Sequence, residues 1–376
     1  MTPRHRAPER HRAALADLGP GGQPVTTRIR MPLCSLLVAA ALAAGVASAA
    51  SAKAMPNANR VPGTIAFSGG PVSGASAVSQ IYEAHPDGSV RQLTHDKLGL
   101  VAAAWSPDGS RLVAFRFESP RTTALYIVRG DGSLGPRLTS AVDGEPRWSP
   151  DGRRVAYKLG RAIVVDFASG RGRRLIIQTG LPATAAPDVT WAPDGSRIAF
   201  AGAIRGRQGL FTATLPAGPG QAQVQLLVPL AGAFPGSPTW SPTGSQIAYA
   251  RAGIWVVRAD GSNPTRIAKS GFSPVWSPDG SHLALVTRHG NAVVNADGRR
   301  FRRLPGCTCT RDIYPGFNQR LSWSPDGAEV AYSGGVGPHL DGVIYRVRID
   351  GRGGARVARS PLVTYDRPLW RPRVGS

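Results

Sequence analysis

The sequence has few of the residue patterns that mark common catalytic and metal sites. It contains three cysteines, and neither a paired C-x-x-C motif nor an H-E-x-x-H motif occurs, so the usual zinc-site patterns are missing. A G-x-S-x-G motif and a glycine-rich phosphate loop are also absent, which removes the signatures of a serine hydrolase elbow and of a nucleotide loop. We therefore predict no metal and no cofactor, and the sequence favours binding over catalysis.

Lysine is scarce as well, and arginine carries nearly all of the formal net charge of +22. An arginine- and alanine-rich composition of a high-GC genome accounts for this balance, and attraction to an anionic partner is the alternative. The arginines are scattered, with short clusters at 171–174 and 299–303. No long, aromatic-rich basic stripe of the kind that binds nucleic acid occurs, so nucleic acid is not a predicted partner.

An apolar run lies near the N-terminus, at residues 32–52. Two arginines precede it, and A-x-A spacings end at Ala49 and Ala52. This order is typical of a secretory signal peptide, with cleavage expected after one of these alanines. The run is also close to the length that spans a bilayer, so an uncleaved signal anchor stays an alternative and is the only predicted membrane contact. We predict an N-terminal extension and signal peptide at 1–52, and a periplasmic, cell-envelope or secreted protein.

Export also narrows the range of partners. Residues 1–52 hold six of the 45 basic residues and two of the 23 acidic ones, so a processed chain carries 39 basic and 21 acidic residues, a net charge of +18. Outside the cytoplasm, the expected partner is an unknown protein or an anionic envelope polymer.

A pentapeptide recurs along the rest of the chain, and it reads Trp-Ser-Pro-Asp-Gly or a close variant. Its tryptophans, together with that of a reduced last copy, are Trp105, Trp148, Trp191, Trp240, Trp276, Trp323 and Trp370. Neighbouring copies are 36 to 49 residues apart. Such a period is typical of β-propeller blades, since a four-stranded sheet cannot bury its apolar faces alone and does so by stacking around a ring.

Each copy shows the same order of features. An apolar stretch ends in the tryptophan, the Ser-Pro-Asp-Gly turn follows, and three further strand-like segments complete the unit. Proline presets φ for the turn, aspartate can accept from its own backbone, and glycine takes a positive φ at no steric cost. The turn explains the repeated aspartates better than calcium sites do, because Thr243 replaces aspartate in one copy. Packing between blades likewise explains the tryptophans better than ligand stacking does.

The two ends of the repeat region complement each other. The first repeat strand, at 64–67, has no tryptophan strand before it, and the strand that ends at Trp370 has none after it. We therefore predict that the C-terminal strand completes the first blade and closes a ring of seven four-stranded antiparallel blades. The reduced last copy leaves six or eight blades as alternatives. The predicted domains are a short linker at 53–60 and an all-β propeller at 61–376.

These repeats resemble the TolB-type propeller repeat, a relative of the WD-type (WD40-like) propellers. The resemblance covers about residues 61–373 and implies the propeller fold. TolB has an additional α/β domain before a six-bladed propeller, whereas only residues 53–60 separate the predicted signal from the first strand here. The partners of TolB are therefore not expected to carry over to this chain.

The connections between strands provide the best functional prediction. In a four-stranded blade, the turns from first to second and from third to fourth strand share one face of the ring, which we call the turn face. The opposite face, the insertion face, receives nearly all of the long connections: 68–79, 116–123, 178–189, 201–209, 305–320 and 333–342. Because function concentrates in loops on a rigid scaffold, we predict that this face binds the ligand around the mouth of the channel.

The segment 307–320 is the most distinctive of these connections, since it mixes aromatic and charged residues. The predicted binding residues are Arg311, Asp312, Tyr314, Phe317, Arg320, Arg205, Arg207, His339 and Asp341. Cys307 and Cys309 form a candidate disulfide, which an oxidising compartment favours and the single intervening residue strains.

Three functions remain open on the sequence alone, one of them a sensor fragment whose partner domain lies on another chain. The first is an exported binding or scaffold propeller for a protein or an envelope polymer. The alternative is a propeller-type polysaccharide lyase or hydrolase, which needs acid and base groups that converge at the mouth of the channel. The residues able to supply them are Glu118, Asp188, Asp312, His339 and Asp341.

Overall fold

The computed structural model describes ten stretches of the chain: 63–71, 78–119, 122–172, 174–179, 188–218, 220–230, 236–305, 321–334, 343–359 and 363–372. These stretches form strands and turns, and none contains a helix that is long and apolar enough to cross a membrane. The predicted signal peptide and the linker at 53–60 lie outside them.

The strands are short, as expected for blades joined by tight turns. In chain order they are β1 (Ile65–Pro71), β2 (Gln80–Ala84), β3 (Val90–Gln92), β4 (Leu100–Trp105), β5 (Arg111–Ser119), β6 (Thr122–Arg129), β7 (Leu134–Thr139), β8 (Arg147–Trp148), β9 (Arg154–Leu159), β10 (Ala162–Phe167), β11 (Leu175–Gln178), β12 (Val189–Trp191), β13 (Arg197–Ile204), β14 (Arg207–Thr214), β15 (Gln223–Pro229), β16 (Gly236–Trp240), β17 (Gln246–Ala250), β18 (Ile254–Arg258), β19 (Thr265–Ala268), β20 (Phe272–Trp276), β21 (His282–Thr287), β22 (Gly290–Asn295), β23 (Arg302–Arg303), β24 (Ser322–Trp323), β25 (Glu329–Gly334), β26 (Val343–Arg348), β27 (Gly354–Arg359) and β28 (Val363–Trp370).

Within the described residues these strands make seven four-stranded antiparallel sheets, so the predicted seven-bladed all-β propeller is confirmed. Blades 1 to 6 take four consecutive strands each, in the order β4–β7, β8–β11, β12–β15, β16–β19, β20–β23 and β24–β27. The seventh, the closing blade, has the order β28-β1-β2-β3. Its C-terminal strand pairs antiparallel with β1, and Trp370 lies opposite Ile65.

The apolar core is divided among the interfaces between blades. Seven clusters of buried side chains are formed by the described residues, each cluster combines two neighbouring blades, and each contains one repeated tryptophan. The cluster around Trp370 joins blade 6 to the closing blade, and the cluster around Trp105 joins the closing blade to blade 1. The hydrophobic effect therefore holds the blades in a closed ring.

The tryptophans also form hydrogen bonds across these interfaces. In five of them the indole Nε1 donates to the backbone carbonyl that precedes the tryptophan of the neighbouring blade, as from Trp148 to Ala104 at 3.1 Å. Trp240 and Trp370 differ: each donates its backbone amide to a hydroxyl of the neighbouring blade, on Thr190 at 3.3 Å and Ser322 at 2.9 Å respectively. Every interface thus has a directional contact in addition to packing.

An arginine covers several of the tryptophans from the adjacent blade. Arg111, six residues after Trp105, places its guanidinium 5.0 Å from the ring centre of Trp148 and donates to the carbonyl of Gly152 at 2.9 Å. Arg154 and Arg197 stack on the next tryptophans in the same way. Each such contact contributes about 1 kcal/mol.

The pentapeptide turns adopt the conformation that the sequence predicts. The Asp108 carboxylate accepts from the Ser106 hydroxyl and from the Ser110 amide, and Gly109 has a φ of +64°. A side chain at Gly109 would also meet the carbonyl of Pro372, at 2.7 Å from its Cβ. Both the backbone conformation and this close approach therefore require glycine.

Two of the predicted insertions are shorter than expected. β5 continues to Ser119 and β6 begins at Thr122, so most of 116–123 is strand. β13 and β14 likewise form a long hairpin with only Arg205 and Gly206 at its tip. The prediction of long loops at these two places was wrong. The second and third strands of these blades stay paired almost to the tip of the hairpin, so most of each segment is strand.

Candidate functional site: the central channel and the insertion face

A cavity of about 320 Å³ lies along the axis of the ring. It is lined by the first strands of the blades and by residues directly before or after them, and all seven blades contribute: Ala103, Ala104, Trp105, Glu145, Arg147, Asp188, Thr190, Ser237, Pro238, Thr239, Ser273, Pro274, Val275, Leu321, Leu369, Trp370 and Pro372. The cavity is therefore the central channel. Since each first strand runs toward its turn, residues well before the tryptophan lie nearer the insertion face.

The charged groups of the channel come from two neighbouring blades. Glu145 and Arg147 precede the tryptophan of blade 2, and Asp188 precedes that of blade 3. Glu145 is buried, and Arg147 and Asp188 are half-buried. Hydroxyl and apolar groups line the sectors of blades 4 and 5. One side of the channel is thus ionic, with charges of both signs.

A buried lysine lies behind the ionic sector. Lys158 is on β9, two residues beyond Ala156, which pairs with Arg147. Burial lowers the pKa of Lys158, and the carboxylate of Asp143 opposes that shift. The backbone amide of Asp143 donates to the Lys158 carbonyl at 3.2 Å, which holds the two residues close together. Blade 2 therefore concentrates ionisable groups at the insertion end of the channel.

Two serines line the channel with an unusual backbone conformation. Ser237 and Ser273 occupy the same place in blades 4 and 5, have φ values of +45° and +50°, and each precedes a proline. The pairing with the second strand is interrupted at both. A left-handed residue other than glycine or asparagine is uncommon, and such conformations concentrate at functional sites. Both hydroxyl-bearing residues line the channel, from neighbouring blades.

The insertion face also carries a charged and apolar group on blade 1. Arg116 donates to both oxygens of Asp96, at 2.9 to 3.2 Å, and its guanidinium lies 5.4 Å from the ring centre of Tyr126. Leu98 and Phe117 are exposed nearby. This group adds two exposed apolar side chains to the insertion face.

The structure brings together only part of the predicted site. Arg205 and Arg207 are exposed at the hairpin tip of blade 3, on the insertion face. Glu118, a predicted acid or base, is not in the channel lining, because it bonds the Tyr126 hydroxyl at 2.8 Å and Arg137. The remaining predicted binding residues and the two cysteines lie outside the described residues: Cys307, Cys309, Arg311, Asp312, Tyr314, Phe317, Arg320, His339 and Asp341.

Sequence reasoning missed Glu145 and Arg147, although a signal for them exists. In blades 2 to 5, the residues one and three positions before the tryptophan line the channel. No group of three or more metal-ligating side chains occurs within the described stretches. The channel is thus a mixed-charge, hydroxyl-lined cavity.

The curated relatives of the chain are TolB proteins. It is 29% identical to the Tol-Pal system protein TolB of Alcanivorax borkumensis over 22% of this chain, and 30% identical to the protein TolB homolog of Chlorobium luteolum over 27%. The matched parts span only 20% and 35% of those proteins. No protein-family model matches the chain.

Solved structures are similar in fold at low sequence identity. TolB from Acinetobacter baumannii has a TM-score of 0.52 at 20% identity, covering 83% of this chain and 67% of that one. A puromycin hydrolase mutant complexed with PGG has a TM-score of 0.57 at 14% identity, covering 80% and 53%. The β-propeller domain of Swd1 from Myceliophteria thermophila has a TM-score of 0.50 at 13% identity, covering 72% and 90%. The chain is thus similar to TolB proteins over part of its sequence and in its fold.

Proposed function

We propose that the protein is an exported binding or scaffold module that holds a segment of a partner protein at the insertion-face mouth of its channel. The observation that carries the proposal is the composition of the channel, which combines both signs of charge with hydroxyl groups and apolar walls. A polypeptide offers both charges and backbone hydrogen-bonding groups, so it matches such a lining. Of the charged groups in this lining, an anionic envelope polymer matches only Arg147.

Export is part of the same proposal. The apolar residues 32–52 support it, and the similarity to TolB proteins is consistent with a place in the cell envelope. N-terminal sequencing of the secreted or envelope-bound protein is expected to find a chain that begins at Ala50 or Lys53. A chain that still begins near Met1 would contradict cleavage.

The test of binding starts from the channel. A photo-crosslinking residue placed at Thr190, which lines the channel, is expected to capture a protein in envelope preparations, whereas the same residue at Ser262 on the turn face is not. The captured partner is then purified and its affinity measured directly. Arg147→Gln is expected to weaken that affinity at least about tenfold, a typical effect for a charged group desolvated at an interface.

The matched control for that measurement is Arg129→Gln, which removes an exposed arginine of the turn face. Melting temperatures of both variants are recorded, so that a folding defect is recognised. Wild-type affinity in a folded Arg147→Gln protein would show that the channel is not the binding site.

A second candidate function rests on one observation: two carboxylates, Glu145 and Asp188, line the same cavity from neighbouring blades. Paired carboxylates are the groups that glycoside hydrolysis requires. Under this alternative, the protein releases sugars from envelope polysaccharides, and Glu145→Gln and Asp188→Asn each abolish the release. Binding of a partner protein without any polysaccharide turnover would favour the first function.

A further inference from the structure

The turn face of blade 5 presents an unusual sequence at its rim. The turn between β22 and β23 is followed by Arg-Arg-Phe-Arg-Arg at residues 299–303, and all five side chains are exposed. Phe301 has 44% of its surface exposed, although phenylalanine is normally buried. The turn itself is well defined, because Asn295 and Arg299 pair through the backbone and Asp297 accepts from the Arg299 amide at 2.8 Å.

Comparison with two other blades shows that the backbone of the turn does not require these residues. Arg300 has a left-handed φ of +53°, and the residues at the same place in blades 4 and 6 are Asn263 and Gly353, with φ values of +52° and +67°. Asparagine and glycine suit this conformation, whereas arginine does not. Blade 4 has Ser-Asn-Pro where blade 5 has Arg-Arg-Phe. The basic aromatic sequence is therefore an addition to a turn that forms without it.

The basic surface continues onto blade 6. Arg302 donates to the carbonyl of Ile349 at 3.2 Å, and its side chain lies against Gly351. The two turns are thus in contact, and we call residues 295–303 and 348–356 together the basic rim. It holds seven arginines and two aspartates, a net charge of +5. Asp297 and Asp350 bond mainly within their own turns, so most of the arginines are left available to an external anion.

The exposed ring of Phe301 among arginines distinguishes between two kinds of anionic partner. Soluble polyanions bind the guanidinium groups through charge, and a phenyl ring does not add to that attraction. At a bilayer surface, arginines contact phosphate groups while an aromatic ring enters the boundary between headgroups and acyl chains. We propose that the basic rim docks the protein on membranes that contain anionic phospholipids. This site lies on the face opposite the insertion face and is independent of the partner proposed above and of residues 32–52.

The test is flotation of the full chain with two kinds of vesicle. One is phosphatidylcholine alone, and the other contains about 30% phosphatidylglycerol, which gives the surface a negative potential. Binding to the anionic vesicles is expected, together with its loss at high salt. The triple variant Arg299→Ser, Arg300→Asn, Phe301→Pro installs the blade 4 sequence. Each lost arginine is expected to weaken partition about fivefold, and the triple variant at least about 25-fold in all.

Three further variants make the result specific. Arg205→Ser with Arg207→Ser removes two exposed arginines of the insertion face and is expected to leave partition unchanged. Phe301→Ser is expected to weaken vesicle binding while retention on a heparin column stays the same. The reverse exchange in blade 4, with Ser262→Arg, Asn263→Arg and Pro264→Phe, is expected to strengthen vesicle binding.

All of these proteins share residues 1–62, so any contribution of that segment is common to them. Equal partition of the wild type and the triple variant would overturn the proposal. Equal binding to neutral and anionic vesicles would overturn it too, and so would an unchanged vesicle affinity of Phe301→Ser, which would identify the rim as a site for soluble polyanions.

Discussion

The aspartates of the pentapeptide turns hold the turns through hydrogen bonds to their charged form. Partial burial raises the pKa of Asp108, but the Ser106 hydroxyl and the amide and hydroxyl of Ser110 outweigh it and bring the pKa down to about 2. Asp279 has the same balance, with Ser277 and Ser281 as donors, and its pKa is also about 2. A carboxylate whose pKa is lower in the folded state stabilises the fold only while it is ionised.

This balance predicts how stability depends on pH. Because the folded pKa lies below the ordinary value of 3.8, the contribution of these carboxylates is complete above about pH 4 and is lost as the pH falls toward 2. The double variant Asp108→Asn, Asp279→Asn is expected to be less stable than the wild type at pH 6 and to lose less stability between pH 4 and pH 2. Urea midpoints at each pH measure both effects, and parallel curves for the two proteins would contradict the role given to the turns.

At this scale the sequence predicts the turn residues well and the channel residues poorly. The roles of Asp108 and Gly109 follow from local backbone chemistry, which is contained in a few neighbouring residues. Glu145 and Arg147 become channel residues only because seven first strands meet at one axis, and they vary from blade to blade. A repeat therefore predicts the residues that the blades share. It does not predict the residues that differ between blades, and those are the residues that we expect a ligand to contact.

At the closure of the ring, the arginine that stacks on a tryptophan comes from a different strand than in blades 1 to 3. In blade 1, Arg111 covers the tryptophan of the next blade, but the closing blade has Thr64 at the same place, directly before its second strand β1. Arg371, at the end of β28, supplies the missing cation: its guanidinium lies 4.7 Å from the ring centre of Trp105 and it donates to Gly109 at 2.7 Å. The strand that completes the blade thus also completes the interface.

Buried charged side chains also occur in the closing blade and in blade 6 beside it. Glu83 on β2 is fully buried and pairs with Arg91 at 3.0 Å and Arg371 at 3.4 Å. The equivalent place in blade 6 holds a buried Arg346, which donates to both oxygens of Glu329 at 2.9 Å. The buried charge at this place is therefore opposite in sign in the closing blade and in blade 6 beside it. Removing one partner leaves a buried charge without full compensation, which is costly.

Arg371→Ala is expected to lower the free energy of unfolding by about 2 kcal/mol, because it removes a stacking contact and one partner of buried Glu83. Arg197→Ala is the matched control: Arg197 stacks on Trp240 at 5.0 Å, and Thr212 stands where the closing blade has Glu83. The control is expected to lose about 1 kcal/mol. Denaturant unfolding measures both, and equal losses would show that Arg371 has no special role in closure.

Strand lengths were the least predictable property of the elements. The sequence places β5, β6, β13 and β14 correctly, but their ends were predicted several residues short. Phe117 pairs with Thr123 and Ile204 with Arg207 beyond the expected ends, where backbone pairing continues without a periodic apolar pattern to announce it. Tertiary context sets the ends of such hairpins.

The ring forms because similar four-stranded sheets bury their apolar faces against one another. Each blade exposes two apolar faces, and each of the seven clusters found among the described residues buries one face against the next. The number of blades and the pairing of the chain ends were predictable because the sequence has a half-unit at each end. The ligand was not predictable, because similar folds support many functions, and the structures similar to this one are as unlike as TolB, a puromycin hydrolase and the Swd1 propeller domain.

Closure of the ring by β28 is the central claim, and one crosslink tests it directly. Ala66 and Leu369 lie opposite each other on β1 and β28. In a protein whose native cysteines are replaced with serine, Ala66→Cys and Leu369→Cys are treated during refolding with a thiol reagent that spans about 5 Å, the distance between side chains on opposed strands. The account predicts an efficient link within one chain for this pair and none for Ala66→Cys with Ser262→Cys. Failure of the first pair to link, or equal yields for both, would contradict a ring fastened by its C-terminal strand.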